Sequence, residues 1–207
     1  MTVLQLTHEQ ADKLSAFASL VAASPHNLVS KRARAELMTR HVPEAVRLAA
    51  VLPDPPARLL DVGSGGGFPG MVIAIARPDL EVHLLEATGK KVTFLRDAAT
   101  SLEIDVVVHH GRAEELCRGA LGGAFDLVTA RAVASLRDLL PLTLPFLAEG
   151  GALYAVKGER WDEELRDASG ALRRQGAVVL ATPEDVTIPA VDGCEGPSPR
   201  VVMLGRA

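Results

Sequence analysis

At residues 61–70 the chain reads DVGSGGGFPG. An apolar run, Arg58–Val62, leads into these glycines, and a second apolar run, Gly70–Ala76, follows Pro69. Glycine has no Cβ, so the backbone can turn sharply here and approach a ligand closely, and Pro69 suits the first turn of a helix. The stretch therefore predicts a strand, a tight bend and a helix, and in open α/β sheets ligands bind beside such a bend.

Downstream of the bend, short apolar runs alternate with helical stretches. This alternation implies crossover connections and a parallel sheet. No helical pattern separates the last two strands, so we expect a hairpin in which one strand is antiparallel. The predicted fold class is α/β, with a doubly wound, mostly parallel sheet and helices on both faces. Further strands are predicted at Glu81–Leu85, Asp105–His109, Phe125–Ala130, Gly151–Val156, Ala177–Leu180 and Arg200–Leu204, and helices at Lys90–Ser101, Ala113–Arg118, Leu136–Leu147 and Glu163–Gln175.

Upstream of the bend, two helices are predicted. The first, from about Thr7 to Ala22, begins with the capping-box pattern Thr–x–x–Gln. The second runs from about Arg34 to Leu52, and the sequence PDPP at residues 53–56 breaks the pattern. We therefore predict an N-terminal helical appendage, residues 1–53, followed by the α/β domain, residues 54–207.

Composition narrows the class of protein. Hydrophobic residues make up 48% of the chain and aromatic residues 3%, which favours an aliphatic core around a parallel sheet. We see neither a signal-peptide pattern nor an apolar run long enough to span a membrane. Cys117 and Cys194 lie outside any metal-like spacing. We expect a cytoplasmic protein without a metal or a membrane partner. The net charge of −4 argues against a strongly basic nucleic-acid binder, although local patches decide such binding.

Two nucleotide-type ligands compete for the bend. The sequence GGGFPG formally matches the dinucleotide fingerprint of NAD enzymes. However, the glycines begin earlier than in that fingerprint, and Asp61 stands two residues before Gly63. A carboxylate at the strand tip opposes a pyrophosphate and suits a ligand that carries ammonium and sulfonium charges. S-adenosylmethionine carries both, so it is the predicted cofactor; an NAD-dependent oxidoreductase and a non-catalytic nucleotide-cofactor-binding protein are the alternatives.

The ends of the next two strands supply further candidates. Glu86 ends the second strand, where a carboxylate can accept hydrogen bonds from both ribose hydroxyls. Ala113 and Glu114 follow the third strand and can read the adenine edge through a backbone group and a side chain. The same two residues also fit an ordinary helix N-terminus that carries acids. Both interpretations of this pair stay open.

Residues after the fourth strand bear on the methyl acceptor. Because a sulfonium is a good leaving group, catalysis is mostly alignment of the acceptor. The sequence TARAVAS at residues 129–135 contains neither an Asn/Asp-Pro-Pro-aromatic motif, which would hold an exocyclic amine, nor a cysteine for covalent attack on a pyrimidine. An atom with a free lone pair and no proton to lose fits best. N7 of guanine qualifies, and small-molecule acceptors stay open on these residues alone.

Several stretches together resemble one known family, the RsmG (GidB) family of bacterial small-subunit rRNA guanine-N7 methyltransferases. The resemblance implies a class I (Rossmann-like) fold with a seven-stranded sheet and S-adenosylmethionine as the methyl donor. It also implies a guanine substrate in the decoding-region loop of 16S rRNA, within the small subunit or an assembly intermediate, and we expect a monomer. The stretches are DVGSGGGFPG at 61–70, GKKVTFL at 89–95, RAVASL at 131–136, AVKG at 155–158, NLVS at 27–30 and Arg40-His41.

Site residues also follow from the resemblance. Gly63 and Phe68 match positions that line the cofactor, and Arg131 matches a cofactor-site position. Together with the residues derived above, the predicted cofactor site comprises Asp61, Gly63, Gly65, Gly67, Phe68, Glu86, Ala113, Glu114 and Arg131. The predicted RNA contacts, which match basic family positions, are Lys90, Arg112, Lys157 and Arg200.

Arg131 is the predicted catalytic residue. N7 lies on the edge of guanine that faces the deep, narrow major groove of A-form RNA, so the enzyme must take a looped or extruded base. The guanidinium of Arg131 can hold a phosphate or the O6/N7 edge. An arginine at a helix start is unfavourable near the positive end of the helix dipole, which favours a functional role over a structural one.

The appendage carries a basic segment between Leu28 and Ala50. Its charge of +3 opposes the sign of the whole chain, and it fits either contacts with RNA phosphates or a solvated helix face. The appendage also departs from the family pattern, because Glu44-Ala45 stands where Asp-Ser is common, and Ser24-Pro25-His26 stands directly before Asn27, where an aromatic residue is often seen. The charged residues are Lys31, Arg32, Arg34, Arg40, Arg47, Glu36 and Glu44.

Overall fold

The computed structural model describes residues 4–54 and 57–206, and within them one seven-stranded sheet with the strand order β3-β2-β1-β4-β5-β7-β6. β7 pairs antiparallel with both β5 and β6, and the other strands run parallel. The predicted mostly parallel sheet and the antiparallel final pair are confirmed. The strands are β1 (Arg58–Val62), β2 (Glu81–Glu86), β3 (Val107–His110), β4 (Phe125–Arg131), β5 (Leu147–Lys157), β6 (Ala177–Ala181) and β7 (Arg200–Arg206).

Helices cover both faces of the sheet, as predicted. Successive residues of β1 point to opposite faces, so Leu59 packs into a core with α1, α3, α4 and α5, whereas Leu60 packs into a second core with α7 and α9. The helices are α1 (His8–Ala23), α2 (Lys31–Ala35), α3 (Val42–Ala49), α4 (Gly70–Ala76), α5 (Gly89–Ser101), α6 (Ala113–Leu116), α7 (Leu136–Thr143), α8 (Trp161–Asp167) and α9 (Ser169–Gln175).

The strand order places the end of β1 at a switch point. β1 pairs in parallel with β2 on one side and with β4 on the other. The carboxyl ends of these three strands therefore meet at one edge, and ligands of open α/β sheets bind in the crevice at such a point. The bend at residues 61–70 lies at this edge, between β1 and α4.

The second predicted helix, Arg34–Leu52, is wrong as a single helix. α2 begins earlier, at Lys31, because Ser30 caps it: its Oγ accepts a hydrogen bond of 3.1 Å from the Ala33 N–H. A π-helical stretch, Leu37–His41, then separates α2 from α3. Pro43 in the first turn of α3 has no N–H to donate to the preceding turn, so the backbone widens there.

Two more predicted helices differ from the structure. The predicted helix Leu136–Leu147 ends at Thr143, because Pro145 interrupts the ladder, and Leu147 already begins β5. The predicted helix Glu163–Gln175 is divided into α8 and α9. That division is slight, since Leu172 N still donates to Ala168 O over 2.9 Å. β5 begins four residues before its predicted start at Gly151, and the remaining boundaries agree with the predicted ones to within two residues.

The appendage packs against α4. Its first helix begins with the predicted capping box, in which Thr7 and Gln10 exchange hydrogen bonds of 2.9 and 3.2 Å. Gln10 Nε2 also donates to Ile75 O, 2.9 Å away, at the end of α4. Pro55 and Pro56 of the predicted breaker lie outside the described residues, so the boundary after residue 53 stays a prediction. Within the described residues, no helix has the length and apolar character needed to cross a membrane.

Candidate functional site

The bend at the end of β1 adopts conformations that require glycine. Gly63, Gly65 and Gly67 have φ angles of +72°, +56° and +94°, a region that strongly favours residues without a Cβ. Gly63 N donates to Leu85 O over 2.8 Å, which ties the bend to β2. The predicted tight bend is thus confirmed in its backbone geometry.

Packing, rather than ligand approach, explains three of the five glycines of the bend. A Cβ on Gly67 would lie 2.6 Å from Phe17 Cζ, and one on Gly70 would lie 2.3 Å from Leu84 Cδ2. Gly66 is covered in the same way by Leu28 and Val29 of the appendage. Gly63 and Gly65 remain partly exposed. The part of the bend that a ligand can approach is therefore residues 63–65.

The buried carboxylate of Asp61 connects the bend to the neighbouring helix and strand. Asp61 is 1% exposed. One oxygen accepts a 3.1 Å hydrogen bond from Gly70 N, and the other accepts a 2.9 Å hydrogen bond from Thr129 Oγ1. Burial raises the pKa of Asp61 to about 6. The side chain thus links α4 and β4 to the end of β1, and the predicted contact of Asp61 with the cofactor stays a prediction.

Glu86 lies beside the approachable part of the bend. Its Oε2 accepts from Gly65 N over 2.9 Å, and its Oε1 accepts from Thr88 N over 2.8 Å. A carboxylate offers about four acceptor positions, so two remain for the hydroxyls of a ribose. The predicted role of Glu86 thus stays compatible with its position, and the carboxylate has a second role in bracing the bend.

The turn after β3 lies next to Glu86. Gly111 N donates to Glu86 O over 3.1 Å, which brings the start of α6 to the same edge. Ala113 is buried there and Glu114 is exposed. A contact of either residue with adenosine stays a prediction.

Phe68 faces the appendage instead of the crevice. Its ring is buried, with centroid distances of 5.4 Å to Phe17 and 6.1 Å to His41. The ring thus packs the bend against the appendage, and a contact of Phe68 with the cofactor stays a prediction.

Arg131 ends β4 and is followed by a strained turn. Ala132 has a φ of +53°, which costs a residue with a Cβ about 1 kcal/mol. Val133 packs directly on the bend, since its Cγ2 lies 2.7 Å from the position of a Cβ on Gly63. The turn therefore couples Arg131 to the approachable part of the bend.

The guanidinium of Arg131 is enclosed by residues of the appendage. Its Nη1 lies 3.3 Å from Glu44 Oε2, and its Nη2 donates to His41 Nδ1. Arg40 Nε donates to the other Glu44 oxygen over 3.1 Å. We call Arg131, His41, Glu44 and Arg40 the Arg131 cluster.

Electrostatics within the Arg131 cluster are strongly coupled. Burial raises the pKa of Glu44, but the charges of Arg131 and Arg40 and the hydrogen bond from Arg40 outweigh it and hold that pKa below its usual range. Burial lowers the pKa of Arg131, opposed by Glu44. Because Arg131 can only donate, His41 Nδ1 is the acceptor and the ring proton lies on Nε2. This buried Nε2 has no hydrogen-bond partner among the described residues.

Sequence reasoning missed His41 and Glu44 as members of the site. The Arg40-His41 pair belongs to the stretches that carry the family resemblance, but neither side chain had a chemical role that the sequence revealed. The signal lies in the fold: Pro43 produces the π-helical stretch that ends at His41, and such irregular turns are frequent at functional sites.

The four predicted RNA contacts form two groups. Lys90 and Arg112 are exposed beyond the ends of β2 and β3, whereas Lys157 and Arg200 are register partners on β5 and β7. Lys157 is 7% exposed, and its Nζ lies 2.7 Å from Glu164 Oε2 and donates to Ala134 O over 2.9 Å. Lys157 is thus largely enclosed, and its contact with RNA stays a prediction.

The family of the chain follows from comparison with known sequences. Residues 10–187 match the model of the GidB family, described as rRNA small subunit methyltransferase G. The chain belongs to this family. A "Ribosomal RNA small subunit methyltransferase G" from Sorangium cellulosum is 48% identical over 159 residues, which cover 75% of this chain and 66% of the relative. One from Kineococcus radiotolerans is 36% identical over 195 residues, covering 92% and 74%. The matches thus span about two thirds to three quarters of these relatives.

Solved structures support the same fold. M. jannaschii TYW2 in complex with AdoMet has a TM-score of 0.57 and 14% identity, covering 79% of this chain and 73% of that one. Precorrin-6y C5,15-methyltransferase from Geobacter metallireducens has a TM-score of 0.55 and 15% identity, covering 88% and 91%. The predicted class I methyltransferase fold is confirmed. Membership of a methyltransferase family overturns the alternatives of an NAD-dependent oxidoreductase and a non-catalytic binding protein.

Proposed function

We propose that this chain transfers a methyl group from S-adenosylmethionine to N7 of a guanine in the decoding-region loop of 16S rRNA. Its substrate form is the small subunit or an assembly intermediate. The observation that carries the proposal is the meeting of three features at one sheet edge: the approachable bend at 63–65, the Glu86 carboxylate and the Arg131 cluster. Family membership supplies the substrate class, and the edge supplies places for a donor and an acceptor.

The residues at the edge fit the cofactor. Glu86 retains two acceptor positions for ribose hydroxyls, and Gly63 and Gly65 leave backbone that a ligand can approach without meeting a Cβ. Ala113 and Glu114 are near enough in the fold to complete the adenosine side. S-adenosylmethionine, when bound, supplies an electrophilic methyl group on a sulfonium.

The acceptor requires alignment and no general base. N7 of guanine has an in-plane lone pair and no proton, so nothing must be removed before or after transfer. A guanidinium donating to N7 would occupy that lone pair. Arg131 therefore suits guanine O6 or a backbone phosphate, and of the two predicted alternatives the full O6/N7 grip is chemically incompatible with methylation at N7.

Glu44 affects the reaction because it compensates the charge of Arg131. The guanine base becomes cationic when N7 is methylated, so an uncompensated guanidinium nearby would disfavour the product. Glu44, 3.3 Å from Arg131, neutralises that charge while holding the side chain in place. In this proposal Arg131 touches the substrate, and Glu44 and His41 are positioning residues.

Methyl transfer to defined RNA substrates tests the proposal. We would incubate the protein with labelled S-adenosylmethionine and three substrates: naked 16S rRNA, an assembly intermediate and the small subunit, each from cells that lack this methylation. We expect incorporation into at least one of them, at a single guanine that becomes cleavable by aniline after borohydride reduction. Binding of S-adenosylmethionine without transfer to any of the three would refute the proposal.

We further propose that the active form is a monomer acting in the cytoplasm. A preformed edge within one chain needs no second copy, and an rRNA substrate is encountered where ribosomal subunits assemble. Sedimentation equilibrium at micromolar concentrations is expected to give a mass of one chain, and a dimer mass at those concentrations would contradict this.

A further inference from the structure

A cavity of about 490 Å³ lies between the appendage and the β5–β7 edge, next to Arg131. Its size lies within the usual range for ligand pockets, and it is larger than a single phosphate requires. Among the described residues, five cationic side chains and three carboxylates line it. The cations are Arg32, Arg40, Arg131, Lys157 and Arg200, and the carboxylates are Glu44, Glu159 and Glu164.

The cationic side chains divide into an enclosed group and a rim. Lys157 and Arg131 are 7% and 17% exposed and are held by Glu164 and Glu44. Arg32 and Arg200 are 80% and 46% exposed. Their carboxylate partners lie 3.0 and 3.8 Å away, and such exposed ion pairs are worth little. The rim arginines can therefore exchange these partners for a phosphate at small cost.

The two walls of the cavity are fastened to each other. Arg47 Nη1 in α3 donates to Ser198 Oγ, 2.8 Å away, in the connection between β6 and β7. A Cβ on Gly196 of the same connection would lie 2.7 Å from Pro43 Cβ. Because this contact leaves no room for a side chain, the appendage and the connection hold a fixed spacing, and the cavity is preformed.

The cavity also adjoins the approachable bend. Arg131 and Ala132 line it, and the next residue, Val133, packs on Gly63. A nucleotide whose phosphate occupied the cavity would therefore hold its base near the bend. Arg34, by contrast, donates to the carbonyls of Ala22 and His26 and has a structural role. The basic segment of the appendage is therefore not uniform: Arg34 has a structural role, whereas Arg32 and Arg40 line the cavity.

We infer that this cavity binds a backbone phosphate of the single-stranded RNA next to the target guanine, with Arg32 of the appendage and Arg200 of β7 closing on it from opposite walls. The inference rests on the proposed function. It assigns to the appendage one half of the RNA site. Single-stranded RNA fits because its exposed backbone presents a phosphate and a sugar of the size that the cavity admits, while the enclosed Arg131–Glu44 pair forms its floor.

A charge-matched pair of double variants tests this assignment. Arg32→Ala/Arg200→Ala removes both rim cations, and Arg137→Ala/Arg166→Ala removes two arginines that are 61% and 69% exposed and do not line the cavity. Affinity for a 16S rRNA transcript is measured by filter binding from 50 to 300 mM salt, alongside methylation kinetics. Each lost phosphate contact reduces the salt slope by about 0.7 to 0.9. Because the site holds one phosphate of a single strand, we expect the rim variant to lose about 0.7 in slope and to raise KM about tenfold, with a much smaller change in kcat, and the control to match the wild type.

Failure of the cavity assignment and failure of the proposed function are distinguishable. If the wild type methylates rRNA and the rim variant matches the control in slope and KM, the cavity assignment falls and the proposed function stands. If the wild type binds the transcript with a slope that the rim variant reduces but transfers no methyl group, the proposed function falls and the phosphate site stands. Unchanged affinity for S-adenosylmethionine in both variants, measured by calorimetry, verifies that neither variant disturbs the bend.

Discussion

Two buried carboxylates, Asp61 in the bend and Glu44 in the Arg131 cluster, have pKa values shifted in opposite directions. Asp61 accepts from neutral donors, Gly70 N and Thr129 Oγ1, and burial raises its pKa to about 6. Burial also raises the pKa of Glu44, but Arg131 and Arg40 reverse the shift. Hydrogen bonds from neutral groups thus stabilise the bend, whereas ion pairs stabilise the Arg131 cluster. Variants should therefore fail for steric reasons in the first region and for electrostatic reasons in the second.

The largest effect is expected for Gly67→Ala, which tests the steric half of this contrast. The new Cβ would lie 2.6 Å from Phe17 Cζ at a φ of +94°. Overpacking and left-handed strain together are expected to cost about 3 to 4 kcal/mol of unfolding free energy, or about 10 °C in Tm. Thermal unfolding of the variant and the wild type measures this loss of stability.

Gly65→Ala is the matched control. No atom lies closer than 3.7 Å to its added Cβ, and only the φ of +56° is unfavourable. A cost of about 1 kcal/mol is expected, together with weaker binding of S-adenosylmethionine. Equal destabilisation by the two variants would show that the division of the bend into a packed and an approachable half is mistaken.

The pH dependence of the unfolding free energy tests the difference between the two carboxylates, beginning with Asp61. The folded-state pKa of Asp61 is about 6, above its ordinary value of 3.8, so the folded protein binds a proton more tightly than the unfolded chain. Stability then falls as pH rises from about 4 to 6 and stays reduced above, by up to about 3 kcal/mol. Asp61→Asn removes this loss, so its stability relative to the wild type should increase between pH 4 and 6.

Glu44→Gln is expected to give the opposite slope. Its folded-state pKa is lowered, so its contribution is present above the unfolded value of 4.5 and disappears as pH falls through the folded one. The variant should lose stability relative to the wild type near pH 6 and recover it in acid. Denaturant unfolding at several pH values measures both differences, and slopes of the same sign for the two variants would contradict the contrast.

Much of the bend could be predicted from sequence because its causes are local. A glycine needed for a positive φ, a strand that ends in Glu86 and an apolar run that starts a helix are all visible within a few residues. The bounds of β1 and α4 were predicted to the residue. The internal contacts of Phe68 and Asp61 were not visible in the sequence, because they depend on which way a side chain points after the layers pack.

The Arg131 cluster could not be predicted because its contacts cross the sequence. His41 meets Arg131 across 90 positions, and Lys157 is neutralised by Glu164 on a helix that folds back over β5. The number of charges in the appendage did not reveal which arginines are structural. Arg34 donates to main-chain carbonyls, whereas Arg32 lines the cavity. Pairing partners of charged residues are a property of the fold.

Activity of Glu44 variants tests whether the cluster positions Arg131. Glu44→Gln keeps the shape and removes the charge, and we expect kcat to fall about 30-fold, about 2 kcal/mol. Glu44→Asp retains the charge and matches the residue common in the family, so most of kcat should return. Affinity for S-adenosylmethionine is the control and should not change. A loss in Glu44→Gln that Asp fails to restore, or one that adds fully to Arg131→Met in the double variant, would place Glu44 outside the path through Arg131.

The smallest effect on function is expected for Glu86→Gln. This variant tests whether the Glu86 carboxylate both stabilises the bend and binds the ribose of the cofactor. An amide has one oxygen, so either Gly65 N or Thr88 N loses its acceptor and one ribose hydroxyl loses a charged partner. The dissociation constant for S-adenosylmethionine should rise about tenfold, or about 1.4 kcal/mol. Glu115→Gln, an exposed acid in α6, is the control. If the affinity is unchanged while thermal stability falls, Glu86 only braces the bend, and the ribose must be held by backbone alone.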